Sequence, residues 1–70
     1  MTYLSVDTLG YEYIHNTRPT RKVEYCPNGI RWENHIGQHI GIPKGTIKQL
    51  IGREITFENG PSSLRTNRIY

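Results

Sequence analysis

Apolar and polar residues alternate in three stretches of this chain, and alternation with a period of two is typical of β-strands. Residues 11–15 predict one strand. Residues 21–32 predict a hairpin, because their alternation is interrupted at Pro27-Asn28-Gly29, where Asn and Gly accept the positive φ of a tight turn. Residues 54–58 predict a short closing strand.

Apolar residues between positions 33 and 52 are spaced three and four apart, which is typical of one face of a helix. Gly41 lies between two such groups, where a chain that leaves a helix commonly adopts left-handed backbone. The pattern predicts two short amphipathic helices joined by a turn at Gly41. The apolar residues that define them are Ile36 and Ile40 in the first helix and Ile47, Leu50 and Ile51 in the second.

The two predicted helices resemble the helix-turn-helix of DNA-binding proteins, whose second helix lies in the major groove. Residues 36–51 carry the resemblance, with Gly41 at the turn and a Thr46-Ile47 pair early in the second helix. The sequence departs from the family at Gly37, where Ala is usual. A wider likeness in layout, with a basic lead-in at residues 18–23, is to the small DNA-binding modules of phage and intron homing endonucleases. Those modules bind DNA and do not cut it.

The sequence therefore predicts an α+β fold, in which a β-hairpin is followed by a helix-turn-helix and a short closing strand. The 70 residues form one domain at most, and a domain this small buries a marginal core. A protein partner, a homodimer or a larger parent protein is an expected source of added stability. The predicted parts are a strand and basic loop over residues 1–20, the hairpin over 21–32, the helix-turn-helix over 33–52, and the closing strand with a loose tail over 53–70.

The net charge of +3 is unevenly distributed, because residues 17–53 carry seven basic side chains and two acidic ones. A polyanion such as double-stranded DNA would be attracted by this local charge. A solvated basic face without a ligand explains the same charge, and charge alone favours that explanation. The resemblance adds a specific function: a small regulator, an excisionase-like factor or a targeting module.

In the fold that the resemblance implies, a helix near residues 44–52 enters the major groove. Lys48 and Gln49 are then placed to contact base edges, and basic residues before the helices contact phosphates. The alternatives are that Thr46 only caps its helix and that Lys48 and Gln49 are merely solvated. The expected DNA-binding residues are Lys44, Gly45, Thr46, Lys48, Gln49, Gln38, His39, Arg18, Arg21, Lys22 and Arg53.

Other chemistry is not indicated by the sequence. The single Cys26 and the scattered histidines lack the ligand clusters of a metal site, so no metal or cofactor is expected. No set of residues offers a nucleophile, a base and an orienting group together, so an enzyme is not expected. One cysteine fits a reducing, cytoplasmic setting, and no apolar run is long enough to span a membrane.

A second interpretation treats residues 39–58 as strands. His39 to Ile42, Thr46 to Ile51 and Glu54 to Glu58 would then be joined by turns at Pro43-Lys44-Gly45 and Gly52-Arg53. That arrangement resembles a small SH3-like β-barrel. It implies a protein-interaction module, such as a phage-type inhibitor of a host enzyme, in place of a DNA-binding protein.

Overall fold

The computed structural model describes residues 2–25 and 28–64. Met1, Cys26, Pro27 and residues 65–70 lie outside this part, and with them Pro27 of the predicted turn and the end of the predicted loose tail. The elements in chain order are β1 (Tyr3–Val6), β2 (Glu12–His15), β3 (Arg21–Tyr25), β4 (Gly29–Glu33), β5 (His39–Ile42), helix α1 (Thr46–Ile51), a 3₁₀ helix (Phe57–Asn59) and β6 (Ser62–Ser63).

The strands form two antiparallel sheets. Four strands lie in the order β5-β2-β1-β6, and β3 pairs with β4. This second pair is the hairpin that the alternation at residues 21–32 predicts. The hairpin lies beside the end of β1, because the backbone N–H of Thr8 donates to the carbonyl of Ile30 at 3.0 Å and the Thr8 hydroxyl accepts from the Ile30 N–H at 2.9 Å.

The four-stranded sheet has one apolar and one polar face, because successive side chains of a strand point to opposite sides. Leu4 and Val6 of β1 join Ile47 of α1 and Ile55 in the buried apolar core. On the other face Ser5, Asp7, His15 and Asn34 are buried, and each makes side-chain hydrogen bonds. The sheet thus separates a small aliphatic core from a hydrogen-bonded polar layer.

The helix-turn-helix prediction is wrong, since the residues of the first predicted helix run into strand β5. Ile40 lies opposite Ile14 of β2 and is 64% exposed, so it does not face a second helix. The apolar residues at 36, 40 and 42 explain the error. A spacing of four fits the helical repeat and also fits twice the strand repeat, and strand pairing with β2 decides between them. Gly37 has a φ of 110°, which interrupts any helix there.

The predicted α+β fold class is wrong as well, because antiparallel sheet dominates the described residues. The predicted closing strand at 54–58 is replaced by the 3₁₀ helix, in which Thr56 and Asn59 form a capping box. The second predicted helix is present as α1 and ends before Gly52. The barrel interpretation is right about the strand at His39–Ile42 and wrong about Thr46–Ile51, which is helical.

Candidate functional site

One buried carboxylate holds the turn between β1 and β2. Asp7 is 2% exposed, and its Oδ1 accepts hydrogen bonds from the backbone N–H groups of Leu9 at 2.9 Å and Tyr11 at 2.8 Å. Its Oδ2 accepts from the hydroxyl of Tyr13 at 3.1 Å and from the hydroxyl of Tyr25. The backbone N–H of Asp7 also donates to the Tyr11 carbonyl at 2.9 Å, which closes the turn. With the bond from the Gly10 N–H to the Asp7 carbonyl at 3.1 Å, six hydrogen bonds of Asp7 fix this short loop.

The two tyrosine hydroxyls remain donors to Asp7 at neutral pH. Burial and the adjacent Asp7 carboxylate raise the pKa of Tyr13 and of Tyr25 above the ordinary value for a phenol. The guanidinium of Arg31 lies 5.1 Å from the Tyr25 ring centre and places a positive charge beside the cluster. The Asp7 carboxylate thus accepts four hydrogen bonds, which offset the cost of burying an anion.

The fixed turn presents apolar and aromatic side chains to solvent. Leu9 is 42% exposed and Tyr11 is 51% exposed. The ammonium of Lys44 lies 4.5 Å from the Tyr11 ring centre and 3.5 Å from the Leu9 carbonyl oxygen. We call Leu9, Tyr11 and Lys44 the turn surface. A tyrosine beside an apolar side chain on rigid backbone is typical of protein-binding surfaces.

A shallow cleft of about 490 Å³ opens beside the turn surface, with Lys44 in its lining. Its apolar lining consists of Val6, Ile47, Ile55 and Phe57. The exposed carboxylates of Glu54 and Glu58 also line it, and within residues 2–25 and 28–64 neither is part of an ion pair. The cleft therefore offers an apolar floor, with Lys44 on one part of its rim and two carboxylates that form no described ion pair on another.

Glu12 of β2 fixes the start of α1, which borders the same cleft. Its carboxylate accepts from the backbone N–H groups of Gly45 and Ile47, both at 2.9 Å. Gly45 precedes the helix and has no side chain to cap it, so Glu12 supplies the cap from the neighbouring strand. The amides of Gly45 and Ile47 are consequently occupied by a carboxylate of the same chain, and that of Thr46 donates to the Pro43 carbonyl.

The polar layer contains a serine, a histidine and an asparagine in a hydrogen-bonded row. The Ser5 hydroxyl donates to Nε2 of His15 at 2.7 Å, and Nδ1 of His15 donates to Oδ1 of Asn34 at 2.8 Å. Asn34 in turn donates to the Thr17 carbonyl and hydroxyl oxygens. This order matches a nucleophile, a base and an orienting group. However, Ser5 is 0% and His15 is 1% exposed, so the row is closed to solvent, and its hydrogen bonds join β1, β2 and the segment after β4.

Burial lowers the pKa of His15, and the neighbouring His39 adds to this effect. His15 is therefore neutral at pH 7, and since Oδ1 of Asn34 accepts from its Nδ1, its Nε2 is the acceptor for the Ser5 hydroxyl. Neither this row nor the Asp7 cluster is predicted by the sequence pattern. Their directly hydrogen-bonded members are separated by up to 19 residues, and no spacing rule connects them.

The predicted DNA-binding residues lie on separate elements. Thr46, Lys48 and Gln49 are on α1, and Lys44 and Gly45 directly precede it. In the described part of the chain, no side-chain hydrogen bond or ion pair joins any two of the predicted residues. The others are Gln38 and His39 at the start of β5, Arg18 in the loop before β3, Arg21 and Lys22 in β3, and Arg53 after α1.

Several of these side chains have other partners. Arg21 pairs with Glu33 at 3.1 Å. The Lys22 ammonium lies 5.3 Å from the Trp32 ring centre. The His39 ring packs 5.4 Å from that of His15. The second predicted helix is only six residues long. The assignment of these residues to DNA stays a prediction, without the helix pair on which it was based.

Two further observations concern ligands and membranes. Among the residues that the structure describes, no group of three or more His, Cys, Asp or Glu side chains is arranged to hold a metal ion. No helix in that part of the chain has the length and apolar character needed to cross a membrane.

Comparisons with protein-family models, with curated proteins and with solved structures found no match to this chain.

Proposed function

We propose that this protein is a protein-interaction module that binds a partner protein at the turn surface and the adjoining cleft. The observation that carries the proposal is the buried Asp7 carboxylate, which accepts four hydrogen bonds beneath an exposed leucine and tyrosine. Such a network fixes the turn in one conformation before any partner arrives. The entropic cost of ordering this loop on binding is then small, which favours affinity.

The lining of the cleft indicates the chemistry of the partner. An apolar side chain fits the floor formed by Val6, Ile47 and Ile55. A lysine or arginine next to it in the partner would face Glu54 and Glu58, whose charges are not neutralised by an ion pair in the described residues. We therefore propose that the partner segment carries an apolar residue flanked by a basic one.

The same proposal replaces the DNA-binding prediction as the better supported function. The DNA-binding prediction depended on two packed helices, and the structure has strand β5 in place of the first. The protein-interaction alternative depended on strands at residues 39–42, 46–51 and 54–58, and the first of these is present. Its specific example, an inhibitor of a host enzyme, stays a prediction.

Selection from a random peptide library against the immobilised protein tests this function. We expect the selected peptides to share an apolar residue next to a lysine or arginine. Leu9→Ala and Tyr11→Ala should each weaken binding of a selected peptide by about tenfold or more, as for anchors at an interface centre. Leu50→Ala is the matched control, since Leu50 is 49% exposed on α1 and does not line the cleft.

Circular dichroism and thermal unfolding would first verify that each variant is folded. Binding of the Leu50→Ala variant should stay within about twofold of the wild-type value. Equal losses in all three variants, or unchanged affinity in Leu9→Ala and Tyr11→Ala, would contradict the proposed site. Selected peptides without a basic residue would contradict the proposed partner chemistry.

A further inference from the structure

Strand β5 is at the edge of its sheet, and two hydrogen bonds show which of its backbone groups face outward. The N–H of Asn16 donates to the carbonyl of Gln38 at 3.0 Å, so even-numbered residues of β5 bond to β2. The N–H of Asp7 donates to the carbonyl of Tyr11, so odd-numbered residues of β2 bond to β1, which gives the same alternation. The N–H and C=O groups of His39 and Gly41 therefore point away from the sheet.

This edge lacks the features by which proteins commonly prevent strand pairing. Residues 36–42 contain no Lys, Arg, Asp, Glu or Pro. Within the described residues, the outward N–H and C=O groups of His39 and Gly41 have no hydrogen-bond partner. Ile36 is 77% and Ile40 is 64% exposed, so apolar side chains accompany the open backbone groups. Pro43 follows directly and has no N–H, which limits the pairing segment to β5.

We propose that β5 pairs with β5 of a second copy of this chain, antiparallel about a two-fold axis at Ile40. In this register His39 of each copy lies opposite Gly41 of the other. All the outward N–H and C=O groups of these residues are then bonded across the interface. The two Ile40 residues face each other as a non-hydrogen-bonded pair, in which side chains approach most closely. The two four-stranded sheets become continuous.

The charge and symmetry of the strand favour a second copy over another occupant. A strand rich in Lys, Arg, Asp or Glu would find no such partner along residues 36–42, whereas a second β5 also lacks these four residue types. The register is also self-complementary, as a two-fold interface requires. One four-residue strand forms a small interface, so we expect a dissociation constant on the order of 10–100 µM.

Analytical ultracentrifugation of the full chain, from about 10 µM to about 1 mM, tests association at this strength. The wild-type mass should rise with concentration from 8.1 kDa towards twice that value. Ile40→Lys places two like charges opposite each other and should weaken association by about tenfold or more. Leu50→Lys adds the same charge at another exposed position and should associate like the wild type.

Cross-linking tests the register with a milder change. In a Cys26→Ser background, Ile40→Cys places two thiols opposite each other and should give a disulfide-linked dimer on mild oxidation, because facing Cα atoms of such a pair are about 4.5 Å apart. Leu50→Cys should not. A wild-type protein that stays monomeric at 1 mM, association that survives Ile40→Lys, or an Ile40→Cys variant that cross-links no faster than Leu50→Cys overturns the proposal. Binding of an unrelated strand at β5 by a monomeric protein also overturns it.

Discussion

Replacing Asp7 with asparagine keeps the shape of the buried side chain but removes its charge and one acceptor. The remaining amide oxygen still accepts from the backbone of Leu9 and Tyr11. The amide nitrogen that replaces Oδ2 is a donor, so the hydroxyl protons of Tyr13 and Tyr25 lose their acceptor. The substitution thus turns two satisfied hydroxyl donors into unsatisfied ones.

The loss of these two bonds sets the magnitude of the expected effect. A hydrogen bond to a charged group contributes about 1.5–3 kcal/mol, so Asp7→Asn should lower the free energy of unfolding by about 3 kcal/mol. The total free energy of unfolding of a domain of this size is about 3.5–10 kcal/mol. The melting temperature should fall by about 12–24 °C, since 1 kcal/mol corresponds to about 4–8 °C in a small domain. Urea unfolding followed by circular dichroism measures the free energy directly.

Two controls separate this mechanism from a general effect of removing a carboxylate. Glu58→Gln makes the same chemical change at an exposed position and should alter stability by less than about 0.5 kcal/mol. In a Tyr13→Phe/Tyr25→Phe background, Asp7→Asn has no hydroxyl donors to leave unsatisfied, so its effect should fall below about 1.5 kcal/mol. A loss that is equal in both backgrounds, or no larger than that of Glu58→Gln, would refute the reasoning.

Three further predictions concern the rest of the scaffold. Burial lowers the pKa of His15 in the folded protein. Near and below pH 6.5, the ordinary pKa of histidine, the unfolded chain therefore binds more protons than the folded protein. The free energy of unfolding should consequently fall as the pH drops from about 7.5 to about 5.5. In His15→Gln, urea unfolding at the two pH values should show a smaller difference. Glu12→Gln leaves one amide at the start of α1 without an acceptor and should lower the free energy of unfolding by about 1–2 kcal/mol, against about zero for Glu54→Gln. Gly37→Ala should reduce the melting temperature more than Gly45→Ala. Both residues have positive φ, but a Cβ at 37 meets a side-chain oxygen at 2.5 Å and one at 45 meets open space.

The sequence predicts the hairpin and helix α1 because both depend on local patterns. The alternation at residues 21–25 fits only a strand. The spacing of Ile47, Leu50 and Ile51, followed by Gly52, fits a helix and its end. Residues 36–42 have no such unique pattern, since a spacing of four satisfies both periods. Only pairing with β2, more than twenty residues earlier in the chain, selects the strand.

The candidate site could not be predicted in the same way. Asp7 is followed by Thr-Leu-Gly, which alone indicates an exposed turn, yet its carboxylate is buried. The difference arises because Tyr25 lies 18 residues away on the hairpin and donates its hydroxyl to Asp7 only after the hairpin packs on the sheet. An Asx-turn at Asp7 predicts hydrogen bonds from its carboxylate to the nearby backbone, but it does not predict those to the two tyrosines.

The distribution of apolar side chains connects the scaffold to both proposed interfaces. Among residues 2–25 and 28–64, four aliphatic side chains are buried in the core, while Leu9, Tyr11, Ile36, Ile40 and Leu50 remain substantially exposed. One face of the sheet is used for the polar layer, so fewer positions are available for apolar burial. That polar layer contributes directional hydrogen bonds, which fix the β1–β2 turn more strictly than aliphatic contacts would. The exposed residues are therefore held in defined positions, and their burial against a partner or a second copy would supply the apolar contact that the small core lacks.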